Sequence, residues 1–178
     1  MKFINKETGL QLIISEELVK QIADRGINKY PNEFGGLLLG RYIKNNKVVS
    51  IEESIFPKKY TSSRYFFERG SEGIKDMLVA KYNGTPSLIY VGEWHTHPDG
   101  PAKPSNTDLI AMSELANDNN VLITNPVLMI VEIRKSNYKV ELYFFNNNKL
   151  LRYEPVDQNG QTITADGNNN ILDDQNKN

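Results

Sequence analysis

The stretch GEWHTHPDGPAKPSNTD, residues 92–108, holds both histidines of the 178-residue chain and connects a predicted strand to a predicted helix. Side chains alternate along a β-strand, so His95 and His97 are predicted to point to the same face, with Cβ atoms roughly 7 Å apart. Pro98 cannot donate to a continuing ladder. The strand is therefore predicted to end there, with both imidazoles at an edge or a pocket mouth.

Ser105 and Asp108 follow in a Ser-x-x-Asp pattern that predicts a helix start. Each feature has an ordinary explanation, since a His-x-His pair can be surface decoration or hydrogen-bonded core, and Ser-x-x-Asp resembles a capping box. Together, two imidazoles and one carboxylate would form a three-ligand zinc site with its fourth position open to water. The residues alone leave both interpretations open.

The pattern of apolar residues outward from this stretch predicts a mixture of strands and helices without a regular βαβ repeat. We expect a strand at 10–14, a helix at 15–28 that stops near Gly26, a hairpin at 33–57 with its turn at Asn45 and Asn46, a helix at 71–84, a strand at 87–97, a helix at 104–118, and strands at 126–135, 138–145 and 149–156. Residues 57–70 are predicted to be either a surface loop over a cleft or an irregular strand. The predicted class is α+β, or α/β with mixed pairing: a mixed sheet flanked by helices.

The composition excludes several classes of function. The formal net charge is −1 and the basic residues are scattered, so we expect no nucleic-acid partner. The absence of cysteine leaves only nitrogen and oxygen ligands for a metal. No apolar run predicts a signal peptide or a membrane span, so a cytoplasmic protein is expected. One domain is expected at 1–156, and 157–178 is predicted to be a polar, flexible tail.

At this point the residues carry a family resemblance. His95-Thr96-His97-Pro98, the seven residues that separate His97 from Ser105, and the two that separate Ser105 from Asp108 resemble the JAMM motif of MPN-domain (JAB) metalloproteases. The segment NEFGGLLLG, residues 32–40, is similar to the strand beside that family's catalytic glutamate, which maps onto Glu33. The resemblance covers roughly residues 10–145 and implies an MPN/JAB-like (cytidine-deaminase-like) fold.

The resemblance also implies a role for each motif residue. His95, His97 and Asp108 would bind Zn²⁺, which activates water and polarises a carbonyl. Glu33 would take the proton of the water and pass it to the leaving amine. Ser105 would donate a hydrogen bond to the tetrahedral oxyanion, although a role as helix N-cap competes for its single proton.

Glu93 is a rival to Glu33, since alternation places it on the histidine face as a possible fourth ligand, base or hydrogen-bond acceptor for an imidazole. Glu33 is nevertheless preferred as the base, and Glu93 is expected to support an imidazole or to face solvent. Trp94, on the opposite face, is predicted to lie in the core. Gly35 and Gly36 predict either a bulge at the strand start or a place where a substrate backbone approaches.

The resemblance implies hydrolysis of peptide or isopeptide bonds after the C-terminal tail of a ubiquitin-like protein or its conjugates, possible activating and conjugating enzymes from neighbouring genes, and a bacterial conjugation or antiphage system. The segment from Lys58 to Phe67 is the candidate substrate-binding loop, with Lys58, Tyr60, Arg64 and Phe66 as its candidate contacts, although an ordinary surface loop is an equal alternative. Two other functions stay open: a peptidase that processes a sulfur-carrier protein, and a non-catalytic MPN scaffold.

Overall fold

The computed structural model describes residues 1–163 except positions 120, 122, 124 and 158. Its elements are β1 (Lys2–Ile4), β2 (Gln11–Ile14), α1 (Glu16–Ile27), β3 (Gly35–Ile43), β4 (Val48–Ile55), β5 (Tyr60–Ser63), β6 (Phe66–Arg69), α2 (Ile74–Tyr82), β7 (Ile89–Pro98), α3 (Asn106–Asn117), β8 (Val127–Arg134), β9 (Asn137–Asn146), β10 (Lys149–Arg152) and β11 (Glu154–Val156). Most of the predicted tail, residues 164–178, lies outside the described residues.

Nine of these strands form one mixed sheet in the order β10-β9-β8-β7-β3-β4-β2-β1-β11. The pairs β2–β4 and β7–β8 are parallel, and the other neighbours are antiparallel. Since helices cover both faces of this sheet, the predicted α+β class is confirmed. The strand β7, which carries both histidines, lies in the interior of the sheet between β3 and β8.

Strand β8 shows how the sheet is buried on both faces. Val127, Met129 and Val131 pack into the main core cluster together with the apolar side of α1. Leu128 and Ile130, which alternate with them, pack into a second cluster against α3. A third cluster joins α2 to β3 and β4. Helix α1 therefore covers one face, and α2 and α3 cover the other.

The sheet closes through a single bent segment, because β10 and β11 lie at opposite ends of the strand order and only Tyr153 separates them. The sequence predicted one strand over 149–156, which is wrong. Tyr153 is buried, and its N–H donates to the Leu142 carbonyl at 2.9 Å. The chain bends there because one half pairs with β9 and the other half pairs with β1, a strand that the sequence analysis did not predict.

Residues 57–70, for which two interpretations were open, form the antiparallel hairpin β5–β6, which is a separate two-stranded sheet. Its inner aromatic side chains, Tyr60 and Phe67, pack against Phe34 at ring-centroid distances of 5.0 and 5.7 Å. Phe34 in turn meets Trp94 edge to face. This aromatic contact fixes the hairpin beside the ends of β3 and β7. Across the described ranges, no helix is both long enough and apolar enough to span a membrane.

Candidate active site

The histidine pair occupies the end of β7. His95 and His97 are partly accessible on one face of the strand, whereas Trp94 and Thr96 are buried on the other. The predicted alternation is therefore confirmed, and Trp94 lies in the core with its indole N–H donating to Ser54 Oγ at 2.8 Å. Pro98 is the last residue of the strand, as its missing N–H predicts.

Three side chains converge in front of β7. The Nε2 atoms of His95 and His97 are 3.0 Å apart, and Asp108 Oδ1 lies 3.3 Å from His95 Nε2. One ligand atom from each of the three residues lies within 4.8 Å of the others. Bonds of about 2.0–2.2 Å place neighbouring ligand atoms of a tetrahedral zinc site about 3.3–3.5 Å apart, within about 0.5 Å of the two shorter separations. The donor set, two imidazoles and a carboxylate, also suits this ion.

The orientation of His97 favours metal binding through Nε2. Its Nδ1 lies 2.9 Å from the Pro101 carbonyl oxygen, which can only accept, so Nδ1 carries the proton and Nε2 presents its lone pair to the site. Burial lowers the pKa of His95, against the opposing effect of the Asp108 carboxylate. The hydrogen bond of His97 to Pro101 and the burial of His95 therefore both favour imidazoles that can bind a metal ion.

Asp108 is held by the start of helix α3. Ser105 is the N-cap, and its Oγ accepts from the Asp108 N–H. Asp108 Oδ2 accepts from the Ser105 N–H at 2.6 Å and from the Ser105 hydroxyl at 2.7 Å. The capping box therefore uses one carboxylate oxygen and turns the other, Oδ1, toward His95. In this arrangement the single hydroxyl proton of Ser105 is donated to the Asp108 carboxylate.

Glu33 lies in the same cleft, at the entry to β3, and belongs to no described three-residue metal-ligand group. Its N–H donates to the Ser63 carbonyl at 2.8 Å. The next residue, Phe34, is bonded twice to Thr96, between the two histidines: Phe34 N–H donates to Thr96 Oγ1 at 2.9 Å, and Thr96 N–H donates to the Phe34 carbonyl at 2.8 Å. Burial, with a further effect of the Asp108 carboxylate, raises the pKa of Glu33 to about 7.

The cleft has a volume of about 700 Å³ and lies between the β5–β6 hairpin on one side and β7 with the start of α3 on the other. An ion pair crosses it at each end. Arg69 Nη2 is 2.9 Å from Glu93 Oε1, two residues before His95. Arg64 Nη2 is 2.6 Å from Asp99 Oδ2, two residues after His97. The group of His95, His97 and Asp108, called the ligand group below, thus lies between two ion pairs that connect the hairpin to β7 and to Asp99.

Glu93 lies in the cleft but is not a member of the ligand group. Its Oε1 accepts from the Arg69 guanidinium and from the Tyr90 hydroxyl, both at 2.9 Å. The structure therefore gives Glu93 a contact with the hairpin, where the sequence analysis expected support of an imidazole or exposure to solvent. Arg69 was not foreseen because it lies 24 residues from Glu93 in sequence.

The two glycines after Glu33 are explained by close packing of strands. A Cβ atom on Gly35 would lie 2.5 Å from the Trp94 carbonyl oxygen, and one on Gly36 would lie 2.4 Å from the Ile55 carbonyl oxygen. Of the two interpretations of this pair, the bulge is wrong, since the register shifts of β3 fall at Leu38/Leu39 and Leu39/Gly40. The missing side chains let β3 approach its two neighbours.

The candidate substrate-binding loop is divided by the structure. Arg64 and Phe66 line the cleft. Tyr60 instead packs against Phe34 in the aromatic contact under the hairpin, and the exposed Lys58 is not among the cleft-lining residues. The contacts of Asp99 were missed because its partners are distant in sequence. Arg64 precedes Asp99 by 35 positions, and Tyr30 precedes it by 69 positions.

Two solved structures resemble this fold. The solution structure of protein DSY2949 from Desulfitobacterium hafniense aligns with a TM-score of 0.56 at 16% identity, covering 79% of this chain and 88% of that one. The solution structure of a protein from Salinibacter ruber (strain DSM 13855) aligns with a TM-score of 0.52 at 20% identity, covering 85% of this chain and 95% of that one. At these identities the likeness concerns the fold alone.

Two sequence relatives bear the name CD-NTase/cGAS isopeptidase. The protein from Enterobacter hormaechei subsp. hoffmannii (strain UCI 50) is 31% identical over 121 residues, which are 67% of this chain and 66% of that protein. The protein from Pseudomonas aeruginosa (strain BWHPSA011 / Pa011) is 36% identical over 78 residues, 43% of this chain and 48% of that protein. The aligned parts thus span just under two thirds and about half of these relatives.

The model of the family described as prokaryotic homologs of the JAB domain matches residues 15–146. That range contains Glu33, both histidines, Ser105 and Asp108, together with the hairpin that borders the cleft. The resemblance found from the motif and the match over most of the chain agree: this chain belongs to the prokaryotic JAB domain family.

Proposed function

We propose that this chain is a zinc-dependent isopeptidase that releases the C-terminal tail of a conjugated protein from the lysine to which it is joined, in a CD-NTase antiphage system. The observation that carries the proposal is the convergence of His95, His97 and Asp108 in one cleft with Glu33. The names of the two relatives support a conjugate that contains a CD-NTase/cGAS protein. A ubiquitin-like protein with such a tail is the alternative substrate.

The chemistry divides between the ligand group and Glu33. A zinc ion bound by His95, His97 and Asp108 would supply Lewis-acid polarisation of the scissile carbonyl and acidify a water molecule. The Glu33 carboxylate then accepts the proton of the attacking water and delivers it to the departing lysine amine. Without the metal, burial and the Asp108 carboxylate raise the pKa of Glu33 to about 7. A bound zinc ion would lower this pKa, and the ionised carboxylate would then be ready to accept the proton of the water.

The hairpin supplies a place for an extended substrate. Strand β6 pairs only with β5 among the described strands, and its residues Phe66 and Phe67 line the cleft. A tail could therefore add as a strand beside β6, where main-chain hydrogen bonds give affinity with little demand on sequence. The complete ligand set together with Glu33 favours an enzyme over a non-catalytic scaffold.

The first experiment is metal analysis of the purified protein, with cleavage of two conjugates before and after chelation and zinc return. One conjugate joins the C-terminal carboxyl of a CD-NTase to a lysine of a carrier protein, and the other joins a ubiquitin-like protein in the same way. We expect about one zinc per chain and cleavage of the CD-NTase conjugate that chelation abolishes and zinc restores. Cleavage of only the ubiquitin-like conjugate would show that the substrate is a ubiquitin-like conjugate and not a CD-NTase conjugate. Cleavage that survives chelation would refute the zinc chemistry.

A matched pair of variants tests Glu33. Glu33→Gln should retain zinc, since Glu33 is not in the ligand group, and lose turnover by a factor of about 10²–10⁴ because the proton acceptor is gone. Glu114→Gln, at an exposed position on α3, is the control and should change neither quantity. Turnover by Glu33→Gln at the wild-type rate would show that another group is the base.

A further inference from the structure

Asp99 joins three parts of the molecule. Its Oδ2 accepts from the Tyr30 hydroxyl at 3.0 Å and from Arg64 Nη2 at 2.6 Å. Its own N–H donates to the Ile133 carbonyl on β8 at 2.8 Å. Asp99 is therefore hydrogen-bonded to the central sheet directly after β7. Its carboxylate contacts the segment before β3 through Tyr30 and the β5–β6 turn through Arg64.

Both of those segments also hold Glu33. Tyr30 precedes Glu33 by three residues in the irregular segment between α1 and β3. Arg64 directly follows Ser63, whose carbonyl accepts the Glu33 N–H at 2.8 Å. The contacts form a closed ring that runs from Glu33 to Ser63, through Arg64 to Asp99, and back through Tyr30 to Glu33.

The Glu33 carboxylate needs such a frame. Within the described ranges, no side chain or backbone group donates a hydrogen bond to it, so its position depends on the backbone that carries it. Thr96 fixes Phe34, the residue after Glu33, and the ring fixes the residues before it. A general base must lie within hydrogen-bond reach of its proton, and a misplacement of about 1 Å can cost on the order of 10²-fold in rate.

We propose that Asp99 is a positioning residue. Through Tyr30 and Arg64 it holds Glu33 at a fixed position relative to the histidines of β7. Its catalytic consequence rests on the proposed function, while the structural consequence does not. Asp99 is 37% exposed in its side chain, so it is available to be exchanged without opening the core.

Tyr30→Phe is the sharper probe, because Tyr30 does not line the cleft and its hydroxyl cannot act through substrate contact. Asp99→Asn keeps an acceptor for Tyr30 but removes the charge that attracts Arg64. The controls are Tyr82→Phe, at a 62% exposed tyrosine on α2, and Asp24→Asn, in the exposed Lys20–Asp24 ion pair. Each control makes the same chemical change away from the ring.

The measurements are amide hydrogen exchange of Glu33, zinc affinity, and kcat and KM. In both ring variants we expect Glu33 amide exchange to rise by about tenfold, while the amides of β8 are unchanged, because the hydrogen bond to Ser63 opens more often. We expect kcat to fall by about tenfold with KM and zinc affinity unchanged. The controls should match the wild type in every quantity.

Unchanged Glu33 exchange in both variants would overturn the inference, and so would faster exchange with full kcat. A fall in zinc affinity of the same size as the fall in kcat would also overturn it, because Asp99 would then act on the ligands. If the wild-type chain cleaves no conjugate, the proposed function fails, while the exchange of the Glu33 amide still decides whether Asp99 holds this residue.

Discussion

Glu33 combines burial with a nearby carboxylate, and this makes its ionised form unfavourable in the metal-free fold. The pKa rises from an ordinary value of 4.5 to about 7, so the folded protein binds this proton more tightly than the unfolded chain does. The resulting stability is fully present below pH 4.5 and is lost as the pH rises through 7. A residue suited to proton transfer at neutral pH therefore lowers the stability of the domain that contains it.

Glu33→Gln should accordingly stabilise the metal-free protein above neutral pH. At pH 8 we expect a gain in the free energy of unfolding on the order of 1–3 kcal/mol, which shrinks toward zero near pH 4.5. Urea denaturation of both proteins at pH 5 and pH 8, after chelation, measures the difference. An equal stability difference at the two pH values would mean that the Glu33 carboxyl titrates normally.

Substitution of Thr96 should lower the free energy of unfolding, because its hydroxyl accepts a buried hydrogen bond from the Phe34 N–H. Thr96→Val keeps the shape of the side chain but removes the acceptor of the buried Phe34 N–H, at a cost of about 1–3 kcal/mol in the free energy of unfolding. Thr96→Ser retains the hydroxyl and is the matched comparison. Thermal unfolding should rank the wild type above Thr96→Ser and Thr96→Ser above Thr96→Val, and the reverse order for the two variants would refute the role of the hydroxyl.

The convergence of His95, His97 and Asp108 could be predicted from sequence because its parts are local. His95 and His97 share a face by strand alternation, and Ser105 and Asp108 lie within one helical turn of each other. The Asp99 contacts could not be predicted, because Arg64 and Tyr30 precede Asp99 by 35 and by 69 positions. No short-range pattern specifies which distant side chains meet. Glu93 was placed on the histidine face, where it lies, but its Arg69 partner depends on how the hairpin folds over β7.

At the scale of elements, the start of α3 serves both helix stability and ligand placement. Ser105→Ala removes the N-cap acceptor, for which we expect a loss of about 1 kcal/mol in the free energy of unfolding. It also removes the hydroxyl donor to Asp108 Oδ2, for which we expect zinc affinity to fall about 10- to 100-fold. Urea denaturation and a competition titration with a zinc chelator measure the two effects.

Ser15→Ala is the matched control, because Ser15 caps α1 in the same way, with its Oγ accepting from the Leu18 N–H at 3.0 Å. It should lose similar stability without any change in zinc affinity. Should Ser105→Ala keep full zinc affinity and lose kcat instead, its hydroxyl would act as a donor to the oxyanion, as the family resemblance implies.

The β5–β6 hairpin was the element that sequence patterns left undecided. Its strands have only four residues each, and their partly exposed side chains alternate with exposed ones, so no continuous apolar run marks them. What fixes them is tertiary: the packing of Tyr60 and Phe67 on Phe34 and the two ion pairs to β7 and Asp99. Short strands that depend on distant partners are predicted poorly from local propensity.

At the scale of the whole molecule, closure of the sheet depends on residues 149–156. A chain that ends at Asn148 would lose the outer partner of both β9 and β1, and the buried Tyr153 as well. We expect this chain to lose its cooperative thermal transition, followed by circular dichroism. A chain that ends at Ile163 keeps every described strand pairing and should unfold like the 178-residue chain. Equal transitions for the two truncated chains would show that residues 149–156 contribute little to stability.

The sequence predicted the strand that carries His95 and His97, the helix that carries Asp108 and the mixed class of the sheet, but it could not predict this closure. Residues 149–156 contain no glycine or other clear turn signal, and only the tertiary arrangement assigns their two halves to opposite ends of the strand order. Strand β1 (Lys2–Ile4) was not predicted either, so the sequence analysis gave no reason to expect the pairing with Glu154–Val156.

The pairing of β1 with β11 also sets an order of events during synthesis on the ribosome. The first strand emerges early, yet its outer neighbour exists only after residues 154–156 have been translated. Glu33, His95, His97 and Asp108 all precede position 109, so a nascent chain carries this set of residues before the outer partners of β9 and β1 have been translated. A polypeptide released prematurely in that interval would present unpaired strands to its neighbours, and self-association would compete with folding.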